Sequence, residues 1–177
     1  DINNRGYAKT QKITTETTDA TGLASSLEVT GYQEITNNAF DAGHNALSQR
    51  IESYDKSGEG KVLLDVQEIR STGFKADGVA RLQKIATYSD ATLLEVKVVE
   101  NLEVKFGNVT KSVVTTYSKG DVAGSDIVVL VPDTIDQQII NVTAFDEYSN
   151  AKDQEITKMW YDEDAGLLKF SEAQKIS

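Results

Sequence analysis

One histidine and one acidic loop are the features of this chain whose residue types could support catalysis or metal binding. His44 is the only histidine in the 177 residues, and there is no cysteine. A triad that uses imidazole as its base would need His44, which lies on the apolar side of a predicted helix, so we expect a packed rather than a catalytic histidine. One imidazole without cysteine also cannot build a structural zinc site.

The acidic loop that begins at Asp55 resembles the start of an EF-hand calcium loop. Asp55, Ser57 and Glu59 place side-chain oxygens at the first, third and fifth loop positions. The twelfth position, where a bidentate Glu closes the calcium shell, is Val66. The segment that follows is typical of a strand rather than of the second EF-hand helix. We therefore predict no cofactor, with calcium at Asp55, Ser57 and Glu59 as the alternative.

Paired carboxylates are the remaining catalytic option, because glycoside hydrolysis needs two acids and no histidine. The chain contains 28 Asp and Glu residues, and nothing in the sequence singles out a pair. Trp160 and Tyr161 are candidates for a sugar-stacking platform, but adjacent residues of a strand point to opposite faces. We therefore predict that the chain is not an enzyme, and keep a carboxylate-based hydrolase as an alternative.

The charge balance argues against nucleic acid as a partner. There are 28 acidic and 18 basic residues, and the resulting net charge of −10 repels phosphate backbones. The longest apolar run, residues 127–131, is much shorter than the ~20 residues that a membrane-spanning helix requires. We expect neither a nucleic-acid partner nor a membrane span.

The first residue and two sequons favour an exported protein. A chain that starts at Asp1 without Met is what signal-peptide removal leaves, although loss of any other leading segment would leave the same start. We expect an extracellular or cell-surface location. The Asn-Val-Thr sequons at Asn108 and Asn141 are glycosylation candidates, although such triplets arise by chance in an Asn- and Thr-rich chain. Asn108 belongs to a predicted Gly-Asn hairpin loop, and Asn141 lies in a predicted strand.

Three segments of this chain share a six-residue phrase, with Ala first, Gln fourth and Ile sixth. The Ala residues are 72 and 71 positions apart, and each copy follows an Ile that stands five residues before an aromatic residue. This spacing is too long for a solenoid rung and predicts duplicated β-meanders that start near residues 2, 69 and 140. The alternative is three hairpins that share Ala, Gln and Ile by chance. The copies are AKTQKI at 8–13, ARLQKI at 80–85 and AKDQEI at 151–156.

Periodicity predicts a mainly β fold. Apolar and charged residues alternate through the segment 94–106, which is typical of a strand with one buried face. One segment, at about 38–56, has apolar residues at helical spacing, namely Phe40, His44, Leu47, Ile51 and Tyr54. We predict antiparallel β-sandwich-like meanders with one short α-helix packed on a sheet, in a single β-rich domain over 1–177.

A β-rich acidic chain without a reactive side-chain set is typical of a building block. We predict a noncatalytic structural subunit of an extracellular assembly, such as a sheath, filament or surface layer, which forms a homo-oligomer through strand edges. Cell-envelope glycans are a further expected partner beside copies of the chain. The alternative is a secreted monomeric β-sandwich module that binds carbohydrate or a protein. The self-association candidates, all in the terminal segments, are Ile2, Tyr7, Lys9, Gln11, Ile13, Leu168 and Phe170.

Overall fold

The computed structural model describes residues 8–18, 21–23, 27–56 and 60–177. The mainly β, antiparallel meander class predicted from the sequence is confirmed, and the described helical structure is a 3-10 turn at Val131–Asp133. Across the part of the chain that the structure describes, no helix has the length and apolar character to cross a bilayer. The chain divides into two compact units: Asp1–Ile69 with Thr87–Thr92, and Arg70–Ala86 with Leu93–Ser177.

The first unit is built on β1 (Thr10–Thr17), β2 (Glu28–Phe40), β3 (Ala46–Asp55) and most of β4 (Val62–Thr72). These strands pair antiparallel in sequence order. Gln11 of β1 lies opposite Ile35 of β2, and Ile35 lies opposite Ile51 of β3 on its other side. Because every strand pairs with its neighbours in sequence, the unit is a simple meander.

The second unit continues the same plan with one insertion. Its main strands pair in the order β5, β6, β7, β10, β11 and β12, and the pair β8 and β9 is inserted between β7 and β10. A few terminal residues of β5 and β6 belong to the first unit. The bounds are β5 (Leu82–Ser89), β6 (Thr92–Lys105), β7 (Asn108–Tyr117), β8 (Asp121–Ala123), β9 (Asp126–Val128), β10 (Thr134–Phe145), β11 (Ala151–Asp162) and β12 (Leu167–Ile176).

The inserted β8–β9 hairpin is held to the second unit by two cations. Arg70 Nε donates to the carbonyl oxygen of Gly124 at 3.0 Å. Lys84 Nζ donates to the Asp126 carboxylate and to the carbonyl oxygen of Ile127, both at 2.8 Å. The Lys84 hydrogen bond also holds the pKa of Asp126 below its ordinary value. The hairpin is thus fixed by its backbone, and the Ile127 side chain is fully buried.

Apolar coverage of the strands is incomplete in both units. Val66 and Val96 are buried, yet Leu64 and Leu94, each two residues earlier, are 52% and 53% exposed. Residues two apart share one face of a strand, so each of these faces changes from covered to open within one pleat. Among the described residues the buried apolar side chains are Val66, Ile69, Ala80, Ala86, Val96 and Ile127.

The helix predicted at 38–56 is wrong, because β2 and β3 occupy this segment with a turn between them. The Asp41 carboxylate accepts hydrogen bonds from the backbone and side-chain amides of Asn45, at 2.8 and 2.9 Å, and closes the turn. His44 has φ 73°, which no helix residue adopts. The spacing misled because residues four apart, such as Leu47 and Ile51, share a face in a strand as well as in a helix.

The β2–β3 turn belongs to a hairpin pattern that occurs three times. In the hairpins β2–β3, β4–β5 and β10–β11, an Ile precedes a Phe by five residues, and Ala, Gln and Ile follow the Phe after six, nine and eleven. The copy in β2–β3 contains ALSQRI at 46–51, a further occurrence of the six-residue phrase. The predicted repeat starts near 69 and 140 fall in β4 and β10, and the start near 2 lies outside the described residues.

Ile127 should be the most sensitive apolar position of the β8–β9 hairpin. We expect Ile127→Ala to lower the free energy of unfolding by about 2–5 kcal/mol. The Ile127 side chain is fully buried, so its truncation leaves a cavity. Leu130→Ala removes a residue that is 62% exposed and should change stability by less than about 0.5 kcal/mol. Urea unfolding measures both variants. Equal losses would contradict this view of the hairpin.

Candidate functional site

β1 of the first unit and β12 of the second unit are two separate candidate sites, because both strands are exposed and each is paired along one edge. β1 is exposed at every residue, and β12 at every residue except Leu168. Within the described ranges β1 pairs with β2 and β12 pairs with β11, with no strand along the other edge of either. Such an edge presents backbone N–H and C=O groups that can template another strand.

The buried side chain of Asn37 fixes β1 on its neighbour. Its Nδ2 donates to the carbonyl oxygen of Ala8 at 2.7 Å, and its backbone N–H donates to the carbonyl oxygen of Lys9 at 2.8 Å. Its Oδ1 accepts a hydrogen bond from Gln49 Nε2 at 2.7 Å. The Asn37 side chain therefore connects the chain at β1 with β2 and β3. Its partners are Ala8, the first residue of the phrase at 8–13, and Gln49, the Gln of the phrase at 46–51.

The second unit repeats part of this arrangement, with the two side-chain contacts made by different residues. Asn101 Nδ2 donates to the carbonyl oxygen of Ala80 at 2.8 Å, and its backbone N–H donates to the carbonyl oxygen of Arg81 at 2.9 Å. Gln83 Nε2 donates to Ser71 Oγ at 3.2 Å, as Gln49 does to the preceding strand in the first unit. The Ala and Gln of the phrase thus occupy fixed positions in a hydrogen-bonded junction between strands.

The self-association candidates that the structure describes fall on the two exposed strands or beside them. Lys9, Gln11 and Ile13 are exposed and, being two residues apart, share one face of the β1 segment. Leu168 and Phe170 share one face of β12, where Leu168 is half-buried and Phe170 is exposed. The two remaining candidates, Ile2 and Tyr7, lie outside the described residues.

Cations and tyrosines cover one face of the first unit next to β1. Lys12 Nζ lies 4.8 Å from the centre of the Tyr32 ring, and Lys61 Nζ lies 3.6 Å from that of Tyr54. The Tyr54 hydroxyl donates to the Glu52 carboxylate at 2.6 Å. This hydrogen bond raises the pKa of Tyr54 to about 12 and lowers that of Glu52. The Lys12 ammonium is therefore drawn back over its own sheet.

An open groove of about 630 Å³ lies beside the β6–β7 turn and β10. Both sequon residues line it, and Asn108 and Asn141 are half-buried. Phe106 at the turn is fully exposed, and the Thr110 hydroxyl is buried without a hydrogen-bond partner among the described residues. Phe106 and Gly107 both have positive φ, so the tight turn lies one residue earlier than predicted and Asn108 opens β7.

A smaller groove of about 340 Å³ contains two tyrosines of the second unit. Tyr117 and Tyr161 line it together with Leu168. Burial, and then the charge of Glu100, raise the pKa of Tyr117. Trp160 is the residue before Tyr161 in β11 and therefore points to the other face. The two aromatic rings do not form one sugar-stacking platform.

The metal candidates from the sequence do not form a ligand cluster. Asp55 is the exposed last residue of β3, whereas Ser57 and Glu59 lie outside the described residues. In the ranges that the structure covers, no group of three or more His, Cys, Asp and Glu side chains is arranged to hold a metal ion. His44 lies in the β2–β3 turn rather than on the apolar face of a helix.

Comparisons with protein-family models, with curated proteins and with solved structures found no match to this chain.

Sequence reasoning missed the asparagines that organise the two units. Asn37 and Asn101 bind the first residue of a phrase from 29 and 21 positions away, a separation that local periodicity does not reveal. A usable signal was present in the copy ALSQRI at 46–51, because its Gln49 accompanies Asn37 across the hairpin. The shared spacing of Ile, Phe, Ala, Gln and Ile in 35–51, 69–85 and 140–156 predicts the same hairpin in all three segments and argues against a helix at 38–56.

Asn37→Ala should destabilise the first unit by about 1–3 kcal/mol. The substitution removes the side-chain donor to Ala8 and leaves the half-buried Gln49 amide without its acceptor. Asn38→Ala, at the neighbouring exposed position, is the matched control and should change little. Urea unfolding measures both. A loss confined to Asn38→Ala, or absent from both variants, would contradict the role of Asn37.

Tyr54 should titrate about two pH units above an ordinary tyrosine. Its raised pKa means that the neutral hydroxyl stabilises the fold below pH 10 and that this contribution is lost as the pH rises through about 12. Glu52→Gln should return the pKa toward 10, because the hydroxyl then donates to a neutral amide. Tyrosinate absorbance measures the titration, and Tyr54→Phe identifies its component. An unshifted component in the parent protein would contradict the hydrogen bond.

Proposed function

We propose that this chain is a noncatalytic structural subunit of an extracellular assembly and that it associates with copies of itself through strand edges. The observation that carries the proposal is the exposure of β1 and β12, each paired along one edge within the described residues. Backbone groups on such edges form hydrogen bonds with any strand of matching register. Pairing of this kind extends the sheet from one copy to the next and involves no chemical reaction.

Incomplete apolar coverage supports association as well. Large apolar side chains are exposed on both terminal strands, among them Ile13 at 45%, Phe170 at 65% and Ile176 at 46%. Burying such surface against another copy removes it from water, at about 25 cal/mol per Å². Contact between copies therefore adds a hydrophobic contribution to backbone pairing along the same strands.

The lysines of the terminal strands leave the edges open. Lysine on an edge often prevents unwanted pairing because its charge resists burial. Here Lys175 Nζ lies 2.8 Å from the Glu155 carboxylate of β11, and Lys169 contacts the Asp162 carboxylate and faces the Trp160 ring. Pointing back over their own sheets, these ammonium groups do not project past the edge. This arrangement favours an edge that accepts a partner strand.

A monomeric binding module is the second candidate, and the larger groove supports it. The fully exposed Phe106 ring and the Asn108 and Asn141 amides are groups that contact carbohydrate. Screening on a glycan array tests it, followed by titration of any ligand found. Saturable binding by a concentration-independent monomer, lost in Phe106→Ala, would favour the module. An array without a ligand would leave the structural subunit as the proposal.

The proposed assembly predicts that Lys12→Pro abolishes association and leaves the subunit folded. The carbonyl oxygen of Lys9 accepts a hydrogen bond from the Asn37 N–H of β2. Because the bonding direction alternates along a strand, the backbone N–H of Gln11 points to β2 and that of Lys12 points to the open edge. Proline at position 12 removes an edge donor that pairs with nothing inside the subunit. Light scattering across a concentration series should report a monomer, and the urea midpoint should equal that of Lys12→Gln, which loses the same Lys12–Tyr32 contact.

Two controls separate edge pairing from charge and from misfolding. Lys12→Gln removes the charge but keeps the N–H, so we expect it to associate like the parent chain. Gln11→Pro removes a donor that faces β2 and should cost about 1–3 kcal/mol of stability. A parent chain that is monomeric at every concentration, or a Lys12→Pro variant that associates normally, would contradict the proposal.

A further inference from the structure

The strands of the repeated hairpins and the two terminal strands β1 and β12 fall into two types, whereas β6, β7, β8 and β9 have neither pattern. The first strand of each repeated hairpin contains Gln and, two residues later, Ile, as in Gln33 and Ile35 of β2. The second strand begins at the phrase with Ala, Gln and Ile. By these patterns β12 is a first-type strand, because it ends with Gln174 and Ile176, and β1 is a second-type strand.

β12 pairs with its preceding strand in the same register as β2 does. Gln11 of β1 lies opposite Ile35 of β2, and Gln154 of β11 lies opposite Ile176 of β12. Each Ile is thus met by the Gln of the preceding phrase. On its other side Ile35 meets Ile51 of β3, whereas Ile176 faces no strand among the described residues.

An Ile–Ile register is the rule inside the hairpins of this chain. Ile35 lies opposite Ile51 in β2–β3, and Ile140 lies opposite Ile156 in β10–β11. Each pair joins the Ile of a first-type strand to the Ile of a second-type strand. The open edge of β12 therefore matches the sequence of a second-type strand, and β1 is a second-type strand with an open edge.

We propose that β12 of one copy receives β1 of a second copy in antiparallel pairing, with Ile13 of one chain opposite Ile176 of the other. This inference rests on the proposed self-association and names its register. The occupant of the edge is a second copy of this chain, because β1 carries the phrase that pairs with first-type strands in the hairpins.

The hydrogen-bond phase of β1 fits this register. The carbonyl oxygen of Lys9 accepts a hydrogen bond from the Asn37 N–H, so the backbone of Lys9 is bonded to β2. Because the bonding direction alternates along a strand, the backbone of Ile13 is also bonded to β2, whereas the backbone groups of Lys12 and Thr14 point to the open edge. Ile35 is likewise bonded to β1 and meets Ile51 in the close, non-hydrogen-bonded position. In the proposed pairing Ile13 meets Ile176 in that position, Lys12 faces Ser177 and Thr14 faces Lys175, so no two like charges lie directly opposite.

The proposed contact joins different surfaces on the two copies. When β12 of the first copy pairs with β1 of the second copy, two edges stay open. They are β1 of the first copy and β12 of the second copy. Contacts of this head-to-tail kind repeat, and they produce a ring if the rotation closes and an open filament if it does not. The inferred register therefore produces either a closed ring of copies or an open filament.

Cysteine cross-linking tests the register directly, because the chain has no cysteine of its own. A chain carrying Ile13→Cys is mixed with one carrying Ile176→Cys and oxidised; both positions are nearly half exposed, so folding should be retained. We expect a shift from monomer to covalent dimer on a non-reducing gel. Thr15→Cys with Gln174→Cys is a second in-register pair and should also cross-link.

An out-of-register pair provides the matched control. Thr17→Cys with Ile176→Cys places the two residues four positions apart, about 13 Å along a strand. A disulfide requires Cα atoms within about 7 Å, so this pair should remain monomeric on the gel. Light scattering of each mixture before oxidation shows whether the copies have associated.

The outcomes distinguish this inference from the proposed function. Cross-linking of both in-register pairs, together with loss in the Thr17 control, supports the β1–β12 register. Association by light scattering without cross-linking at Ile13 and Ile176, or with equal cross-linking at Thr17, overturns the register and leaves strand-edge assembly standing. Mixtures that stay monomeric at every concentration overturn both.

Discussion

Hydrogen bonding between neighbouring strands is the interaction on which this structure depends. The described strands bury few large apolar side chains, and on β4 and β6 a buried valine stands two residues from an exposed leucine. A sheet held in this way needs a specified register, because partly covered faces constrain it weakly. The chain supplies that register through turns, through asparagine junctions and through repeated Ile pairs.

The repeated phrase has a physical explanation in these junctions. Its Ala offers a carbonyl oxygen to an asparagine of the next strand, at Ala8 and Ala80, and its Gln reaches the preceding strand, at Gln49 and Gln83. The phrase at 80–85 makes both contacts and thus helps to set the positions of the strands on both sides. A strand with this pattern can specify a neighbour within its own chain, and by the same contacts it can specify one from another copy.

The sequence predicted those features that depend on neighbouring residues. Alternation through 94–106 identified β6 and the turn that follows, since a strand with one covered face has a period of two. The segment 38–56 was misassigned because a spacing of four satisfies helix and strand alike, and the Asp41–Asn45 turn decided between them. The Asn37 junction depends on a contact 29 residues away, and the groove at Asn108 and Asn141 joins two hairpins, so local patterns contained neither.

Hydrogen–deuterium exchange measured across a concentration series tests the central claim most directly. The backbone amides of β1 and β12 that face the open edges should exchange rapidly in dilute protein and become protected as the chains associate, because they then acquire partners. Amides of β7, which pairs with β6 and β10 inside the second unit, should be protected at every concentration. Association without new protection in β1 and β12 would contradict the claim that strand edges join the copies.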